Sequence, residues 1–269
     1  MWGETATAFA RCFQPNLSYL PLFEGHTWYG SLVTELPLFP LPNIVVFPGM
    51  TLPLFIFEER YKRMVRLCVE QNQRRLVIVL AKQGASVSDS GVHEICYDVG
   101  SYADILSVAE NPDGTFHILT HGQERCRVAV SRSESVGAGH APLHFTRNLP
   151  YPLARDDPNL ERLAAWDALE VFRSYSEVFF PTEVLEQIES ALPDDLLFQA
   201  SFICANLRAP AEARQRMLEA PSLIARFGAA QETMQALLKA HRRDAQDAGG
   251  ALDEEGAEPS SGSGGTPQA

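Results

Sequence analysis

The sequence predicts an α+β fold in which a closed or nearly closed β-sheet, with one helix packed on it, precedes an all-α helical bundle. Short apolar runs separated by proline and glycine dominate up to residue 150, and apolar residues then recur at helical spacing. The chain has 269 residues, 45% hydrophobic and 21% charged, which is typical of a soluble protein with a buried core. We therefore divide it into an extension (1–33), a β-barrel (34–150), a helical bundle (151–243) and a disordered acidic tail (244–269).

The first 33 residues do not share the pattern of the rest. They contain seven aromatic residues and three charged ones, without a helical or strand period. Either they form an ordered arm packed on the body, or the start codon has been assigned too early and the natural chain begins near Val33. We favour the second interpretation. The segment lacks the basic region and the apolar run of a secretory signal peptide.

Prolines and glycines recur between Leu36 and Phe57, which excludes a helix there and favours short strands joined by tight turns. A helix should follow over about 58–72, because four largely apolar side chains recur at helical spacing (Tyr61, Met64, Val65 and Cys68). Its face is expected to pack on the sheet.

Further strand-length apolar segments lie at 76–81, 99–108 and 125–130. The sequence Asn111-Pro-Asp-Gly separates two apolar runs and predicts a hairpin turn, since proline presets φ and Gly114 tolerates a positive φ. Several short strands at this spacing indicate a closed or nearly closed sheet.

From Asp157 the apolar pattern becomes helical. Asp157 can cap a helix that has Pro158 in its first turn. The predicted inward face of this helix consists of Leu160, Leu163, Ala164, Ala168, Val171, Phe172, Tyr175 and Phe179.

Four more helices are predicted after it. They lie around 184–192, after Pro193-Asp194-Asp195, after Pro210, and from a cap at Ser222. Gly249-Gly250 should end the last of them, and the remaining acidic, Gly/Ser/Pro-rich segment is predicted to be disordered.

The charge and cysteine content limit the functional classes. The chain carries 34 acidic and 22 basic residues, a formal charge of −12, which disfavours nucleic acid as a partner. Only an arginine patch on the first helix leaves RNA open (Arg60, Arg63, Arg66, Arg74 and Arg75). The five cysteines are widely spaced and odd in number, which favours buried thiols in the cytoplasm over disulfides or zinc ligands.

No catalytic constellation is recognisable in the sequence. Neither a G-x-x-x-x-G-K-[ST] phosphate loop nor a G-x-S-x-G nucleophile turn is present. His117 and His121 would lie roughly 13 Å apart on a strand, too far for one metal ion. We therefore predict no catalytic residue, metal or cofactor, and no apolar stretch long enough to span a membrane.

The block LPLFPLPNIVVFPGMTLPLFIFEERY, from Leu36 to Tyr61, closely resembles the start of the N-terminal substrate-binding domain of Lon proteases, which is also found in cereblon. The resemblance continues through DVGSYADI at Asp98, NPDGTF at Asn111 and HGQERCRV at His121, and then less closely through LPDDL and CANL in the helical part. It covers about 36–243. It implies a PUA-like pseudo-barrel followed by a helical bundle.

In Lon proteases this region recognises unfolded or tagged polypeptides, while the ATPase and Ser-Lys peptidase domains lie further along. The resemblance therefore implies a stand-alone, non-catalytic protein that binds polypeptide segments as an adaptor or holdase, with a separate Lon-type protease as an expected partner. The alternative is a small-molecule or RNA-binding module, since PUA-like barrels serve those purposes in other families.

The predicted polypeptide-binding residues lie around the Pro48-Gly49 turn, where apolar side chains are often exposed and exposed apolar patches bind proteins. Folding of these side chains back into the barrel as a plug is the competing interpretation. The predicted set is Val46, Phe47, Pro48, Met50, Leu52, Glu58, Glu59, Arg60 and Tyr61. For Glu58 and Glu59, stabilisation of the first helical turn is the simpler role.

Overall fold

The structure is a computed structural model that describes residues 35–71, 74–82, 96–147 and 149–254, the last seven for the backbone only. The predicted extension 1–33 and residues 255–269 lie outside these ranges. Cys12 also lies outside them, and the four described cysteines are all buried, as predicted.

The described residues form one mixed sheet of eight strands, paired in the order β2-β5-β4-β3-β1-β7-β6, with β8 on β5. The strands are β1 (Glu35–Leu41), β2 (Thr51–Ile56), β3 (Arg75–Ala81), β4 (Cys96–Glu110), β5 (Phe116–Arg127), β6 (Val130–Glu134), β7 (Leu143–Arg147) and β8 (Leu149–Pro150).

Six helices lie within the described residues, one between β2 and β3 and five after the sheet. They are α1 (Glu59–Glu70), α2 (Pro158–Phe179), α3 (Thr182–Ala191), α4 (Leu196–Asn206), α5 (Ala211–Glu219) and α6 (Leu223–Glu254). α1 packs against β1 and β7. The predicted α+β class, with strands first and helices after them, is confirmed.

Local chemistry explains the strand connections. β1 and β3 are parallel, and β2 and α1 supply the long crossover that a parallel pair requires. β2 lies at one end of the sheet, where Pro53 is tolerated because an edge strand can lose a backbone donor. The predicted turn joins β4 to β5: Gly114 has φ 75° and its N–H donates to the Asn111 carbonyl at 2.9 Å.

Side-chain caps begin three of the helices where the sequence predicts them. The Asp157 carboxylate accepts from the backbone N–H of Asn159 at 2.8 Å, and Pro158 occupies the first turn of α2. Asp195 caps α4 in the same way, and the Ser222 hydroxyl accepts from the N–H of Ala225 at 3.3 Å.

Two helix predictions need correction. In α2, Leu160 and Leu163 are 55% and 57% exposed, while Glu161 is only 1% exposed. Glu161 faces inward because Arg155 donates to it at 2.6 Å and the Asp156 N–H donates to it at 2.9 Å. α6 continues through Gly249 and Gly250 to Glu254, because a helical glycine costs only about 1 kcal/mol and does not forbid propagation. The tail predicted to be disordered from residue 244 is therefore helical up to Glu254.

A buried arginine joins the sheet to the helices. Arg125 of β5 donates from Nη1 to the carbonyls of Leu218 and Ala220 at 2.6 and 2.7 Å. Arg226 of α6 donates to the Met217 carbonyl at 3.1 Å. These carbonyls end α5, where the helix leaves acceptors unpaired and carries partial negative charge, so they can hold buried guanidinium groups.

The hydrophobic core is continuous across this junction. One cluster of buried side chains includes Phe47 and Ile118 from the sheet region together with Phe202 and Phe227 from the helices. The Arg226 guanidinium also lies 5.9 Å from the centre of the Phe47 ring. Burial of apolar surface therefore holds the sheet and the helices together.

Candidate functional site

The turn predicted to expose apolar residues is packed into the protein. Gly49 donates its N–H to the Gly122 carbonyl at 2.9 Å, and Gly122 donates to the Met50 carbonyl at 2.7 Å. The predicted side chains around this turn are buried: Val46, Phe47, Pro48, Met50 and Leu52.

Of the two interpretations of this turn, the structure shows the one in which its side chains fold back into the protein, because the missing side chain at Gly122 lets β5 approach the turn backbone closely. A Cβ at Gly122 would lie 2.4 Å from the Phe47 oxygen. Contact of these residues with a polypeptide remains a prediction, and it would require the turn to separate from β5.

The charged residues of the predicted set form ion pairs at the start of α1. Arg60 donates to the Glu58 carboxylate at 2.9 Å, and Lys62 donates to Glu59 at 2.6 Å and lowers the pKa of Glu59. Glu59 lies in the first turn, where a carboxylate also stabilises the helix dipole.

Tyr61 is part of the core and not of the surface. Its ring centre lies 4.3 Å from that of Phe39, and the Arg60 guanidinium lies 4.4 Å from the Tyr61 ring. Burial raises the pKa of the Tyr61 hydroxyl to about 12, so it stays neutral at physiological pH.

An exposed aromatic surface lies beside this buried turn. We define it by Phe55, Phe57 and His117. Phe55 and Phe57 are 52% and 62% exposed, with ring centres 6.1 Å apart, and the His117 ring lies 4.9 Å from that of Phe55. Large apolar side chains grouped on a surface are a common sign of a protein-binding site.

Strand alternation places the rings of Phe55 and His117 outside, and Phe57 directly follows β2. Along β2, Leu52 and Ile56 enter the core, so Phe55 lies on the opposite face, and it is directly paired with His117 of β5. The sequence carried this signal, since side chains two apart in a strand share a face. The uninterrupted apolar run from Leu52 to Phe57 obscured it.

The aromatic surface lies at a sheet edge. Among the described residues, β2 pairs with β5 and with no other strand. The unpaired edge of a strand can accept an extended polypeptide through main-chain hydrogen bonds. Pro53 withholds one donor, so this edge offers a short ladder.

Four of the five arginines in the patch that left RNA binding possible are paired with carboxylates. Arg75 donates two hydrogen bonds to Asp104, at 2.6 and 3.0 Å. The remaining pairs join Arg60 to Glu58, Arg63 to Glu134 and Arg66 to Glu110. Guanidinium groups paired with carboxylates are poorly available for phosphates, which disfavours the RNA-binding alternative.

The described residues contain one close Ser-His contact, between Ser133 Oγ and His144 Nδ1 at 2.7 Å. The two residues are cross-strand partners in β6 and β7. Burial and the nearby Arg60 charge lower the pKa of His144, so its neutral ring serves this strand pairing. No group of three or more His, Cys, Asp or Glu side chains suited to a metal ion occurs in the part of the chain that the structure describes.

The described thiols are also unsuited to chemistry. Burial raises the pKa of Cys68, Cys96, Cys126 and Cys204 to about 12, which keeps them protonated and weakly nucleophilic.

None of the helices in the described ranges is long and apolar enough to cross a membrane.

Comparison with known proteins adds an independent observation. The family model of the ATP-dependent protease La (LON) substrate-binding domain matches residues 35–236. The Lon protease of Escherichia coli strain K12 is 27% identical over 188 residues, which cover 69% of this chain and 22% of that protein. Lon protease 1 of Syntrophobacter fumaroxidans is 34% identical over 100 residues, which cover 37% of this chain and 12% of that protein.

The chain thus matches about a fifth or less of the length of these curated relatives. Among solved structures, the N-terminal domain of the Mycobacterium avium complex Lon protease is similar with a TM-score of 0.56 at 15% identity. That match covers 75% of this chain and 98% of the other chain, and it supports the fold.

Proposed function

The chain belongs to the family of the LON substrate-binding domain, and on this premise we propose that it recognises polypeptide segments through the aromatic surface of Phe55, Phe57 and His117. The observation that carries the proposal is the exposure of both phenylalanines beside the edge of β2. Phe55 and His117 lie on paired strands that hold their positions without a client, so little ordering of these two rings opposes binding.

An unfolded client can use two kinds of contact here. An extended segment adds its backbone to the edge of β2, and its apolar side chains pack on the rings of Phe55 and Phe57. Backbone contacts do not depend on sequence, which suits recognition of many different segments. Affinity should be weak, in the micromolar range or above, because the client must be ordered on binding.

We propose that the chain acts on clients without hydrolysing them, as an adaptor or a holdase. The family match lies entirely within the substrate-binding domain. As an adaptor the chain would present its client to a separate Lon-type protease, and as a holdase it would keep the client from aggregating.

Fluorescence anisotropy with a permanently unfolded, labelled polypeptide tests the binding surface. The double variant Phe55→Ser/Phe57→Ser should bind about tenfold more weakly, since central aromatic residues commonly contribute more than 1 kcal/mol each. Leu149→Ser is the matched control, because Leu149 is also exposed on a strand but lies on β8, which pairs with the opposite end of β5. Equal affinity of the double variant and the control would refute the aromatic surface.

Methionine methyl resonances distinguish this surface from the buried turn. Met50 reports on the turn and Met64 on the core below α1. Binding at the aromatic surface should leave both methyl shifts nearly unchanged. Large shifts at Met50 on adding the client would instead support the turn residues as the binding site.

A degradation assay separates the two proposed roles. A Lon-type protease is supplied with an unfolded client in the presence and absence of this chain. An adaptor accelerates client degradation, whereas a holdase slows it by sequestering the client. An unchanged rate of client degradation, at a concentration of this chain that saturates the client, would contradict both roles.

A further inference from the structure

A second exposed apolar surface lies on α2, away from the sheet. We define the α2 stripe by Leu160, Leu163 and Trp166. Trp166 is 63% exposed, and both leucines are more than half exposed. The three positions are spaced by three residues, so neighbouring side chains adjoin on the helix surface.

The stripe faces away from the rest of the bundle. The buried side of α2 consists of Glu161, Ala165, Ala168, Phe172, Tyr175 and Ser176, and this side packs against α3, α4 and α6. The position of Glu161 fixes this rotation, because the carboxylate is held inside by Arg155 and by the Asp156 N–H. The stripe therefore cannot turn inward without breaking that ion pair.

Carboxylates outnumber basic groups around the stripe. Asp156 and Asp157 precede Leu160, while Asp167 and Glu170 lie one turn after Leu163 and Trp166. Their basic neighbours are Arg162 and Arg173. Arg173 forms an ion pair with Glu170, so the net field at the stripe is negative.

The charge and the size of the stripe disfavour a second copy as its occupant. Two copies would bring the same acidic rim together, and each chain has a formal charge of −12. A stable interface between folded proteins buries about 800 Å² on each side, whereas three partly exposed side chains supply a few hundred Å² at most, given about 150–250 Å² for a whole aromatic residue.

We propose that the α2 stripe docks a short amphipathic helix of a partner protein, with apolar residues on one face and lysine or arginine beside them. The stripe runs over seven residues, from Leu160 to Trp166, and rises about 9 Å along the helix axis. That length matches apolar anchors spaced i, i+3, i+4 and i+7 on a helix lying along it. Basic flanks on the partner would meet Asp156 and Asp167.

The test uses a labelled 14-residue helical peptide of leucine and lysine with leucines at that spacing, titrated into the full chain at about 150 mM salt to screen non-specific attraction. Trp166→Gln/Leu163→Gln should reduce the affinity about tenfold. Val178→Gln is the matched control, since Val178 is exposed near the other end of α2 and its variant should bind like the wild type. The Phe55→Ser/Phe57→Ser variant should also bind normally, which keeps this inference separable from the proposed function.

A second peptide with glutamate in place of lysine tests the charge argument and should bind at least about tenfold more weakly. Equal binding of both peptides, equal binding by the stripe variant, or no binding of the lysine peptide to the wild type up to millimolar concentration would each overturn the proposal. So would sedimentation showing a dimer that Trp166→Gln/Leu163→Gln dissociates, because a second copy would then cover the stripe.

Discussion

At the scale of single residues, Gly122 should tolerate a side chain poorly. A Cβ there would lie 2.4 Å from the Phe47 oxygen and 2.7 Å from Val46 Cγ1. We expect Gly122→Ala to lower the free energy of unfolding by about 1–3 kcal/mol, because backbone and core atoms must move. Urea denaturation followed by circular dichroism measures the change.

Gly228→Ala is the matched control. Its Cβ would meet no atom within 4 Å, and the position lies inside α6. Alanine should raise stability there by up to about 1 kcal/mol, since it loses less backbone freedom than glycine. If Gly122→Ala, like Gly228→Ala, leaves the free energy of unfolding unchanged or raises it, the turn and β5 are not closely packed.

The buried Glu161 carboxylate should make stability depend on acid pH. The Arg155 guanidinium and the Asp156 N–H hold the pKa of Glu161 at about 2, below its ordinary 4.5. The unfolded chain therefore binds the proton more readily, and the stabilisation is complete above about pH 5 and lost as the pH falls towards 2.

Urea midpoints measured between pH 7 and pH 2 test this expectation. Glu161→Gln should be less stable than the wild type at pH 7 and should show a smaller loss on acidification. Glu170→Gln is the control, because its ion pair with Arg173 is exposed and contributes little. Parallel pH profiles for the wild type and Glu161→Gln would contradict the assignment.

At the scale of secondary-structure elements, helix caps and turns could be predicted from the sequence, whereas the packing of one element on another could not. The Asp157 cap, Pro158 and the Asn111–Gly114 turn depend on neighbours in the sequence, and all are found as predicted. The exposure of Leu163 depends on the pairing of Glu161 with Arg155 in the preceding loop, which apolar periodicity does not report.

The candidate site shows the same limit. The family resemblance predicted a polypeptide-binding role, and the apolar turn at Pro48 was the natural choice for its surface. That turn is buried because it meets Gly122, about 70 residues later in the chain. The outward position of Phe55 follows from strand alternation, but choosing the outer face required the strand register.

The junction between β5 and α5 carries a prediction at this scale. Arg125→Met removes the Arg125 donors to the carbonyls of Ala220 and Tyr151 and leaves Leu218 with its Arg226 donor alone, so we expect the free energy of unfolding to fall by about 2–4 kcal/mol. Arg127→Met is the matched control. Arg127 is exposed on the same strand and contacts the same Tyr151 ring as Arg125, each at 4.2 Å, so its loss should cost at most about 1 kcal/mol. Similar unfolding free energies for the two variants would show that the carbonyl contacts contribute nothing.

At the scale of the whole molecule, the formal charge of −12 has limited meaning for the binding surfaces. Six carboxylates lie after residue 243, and the arginines of α1 pair with carboxylates on neighbouring elements. The charge that matters for the proposed partner of the α2 stripe is the local one, set by Asp156, Asp157 and Asp167.

The continuous core predicts that sheet and helices unfold together, although the division into a barrel (34–150) and a bundle (151–243) allows two separate transitions. Met50 and Met64 are buried on the sheet side, and Met217 and Met234 are buried among the helices, all within one cluster. Methyl resonances of these four residues should lose their native intensity at the same urea concentration, because a two-state molecule has one midpoint for every probe. Arg125→Met weakens the junction, so the urea midpoints of all four methionines should fall. Two separated urea midpoints in the wild type would contradict this prediction. They would show that the barrel and the bundle unfold as independent domains.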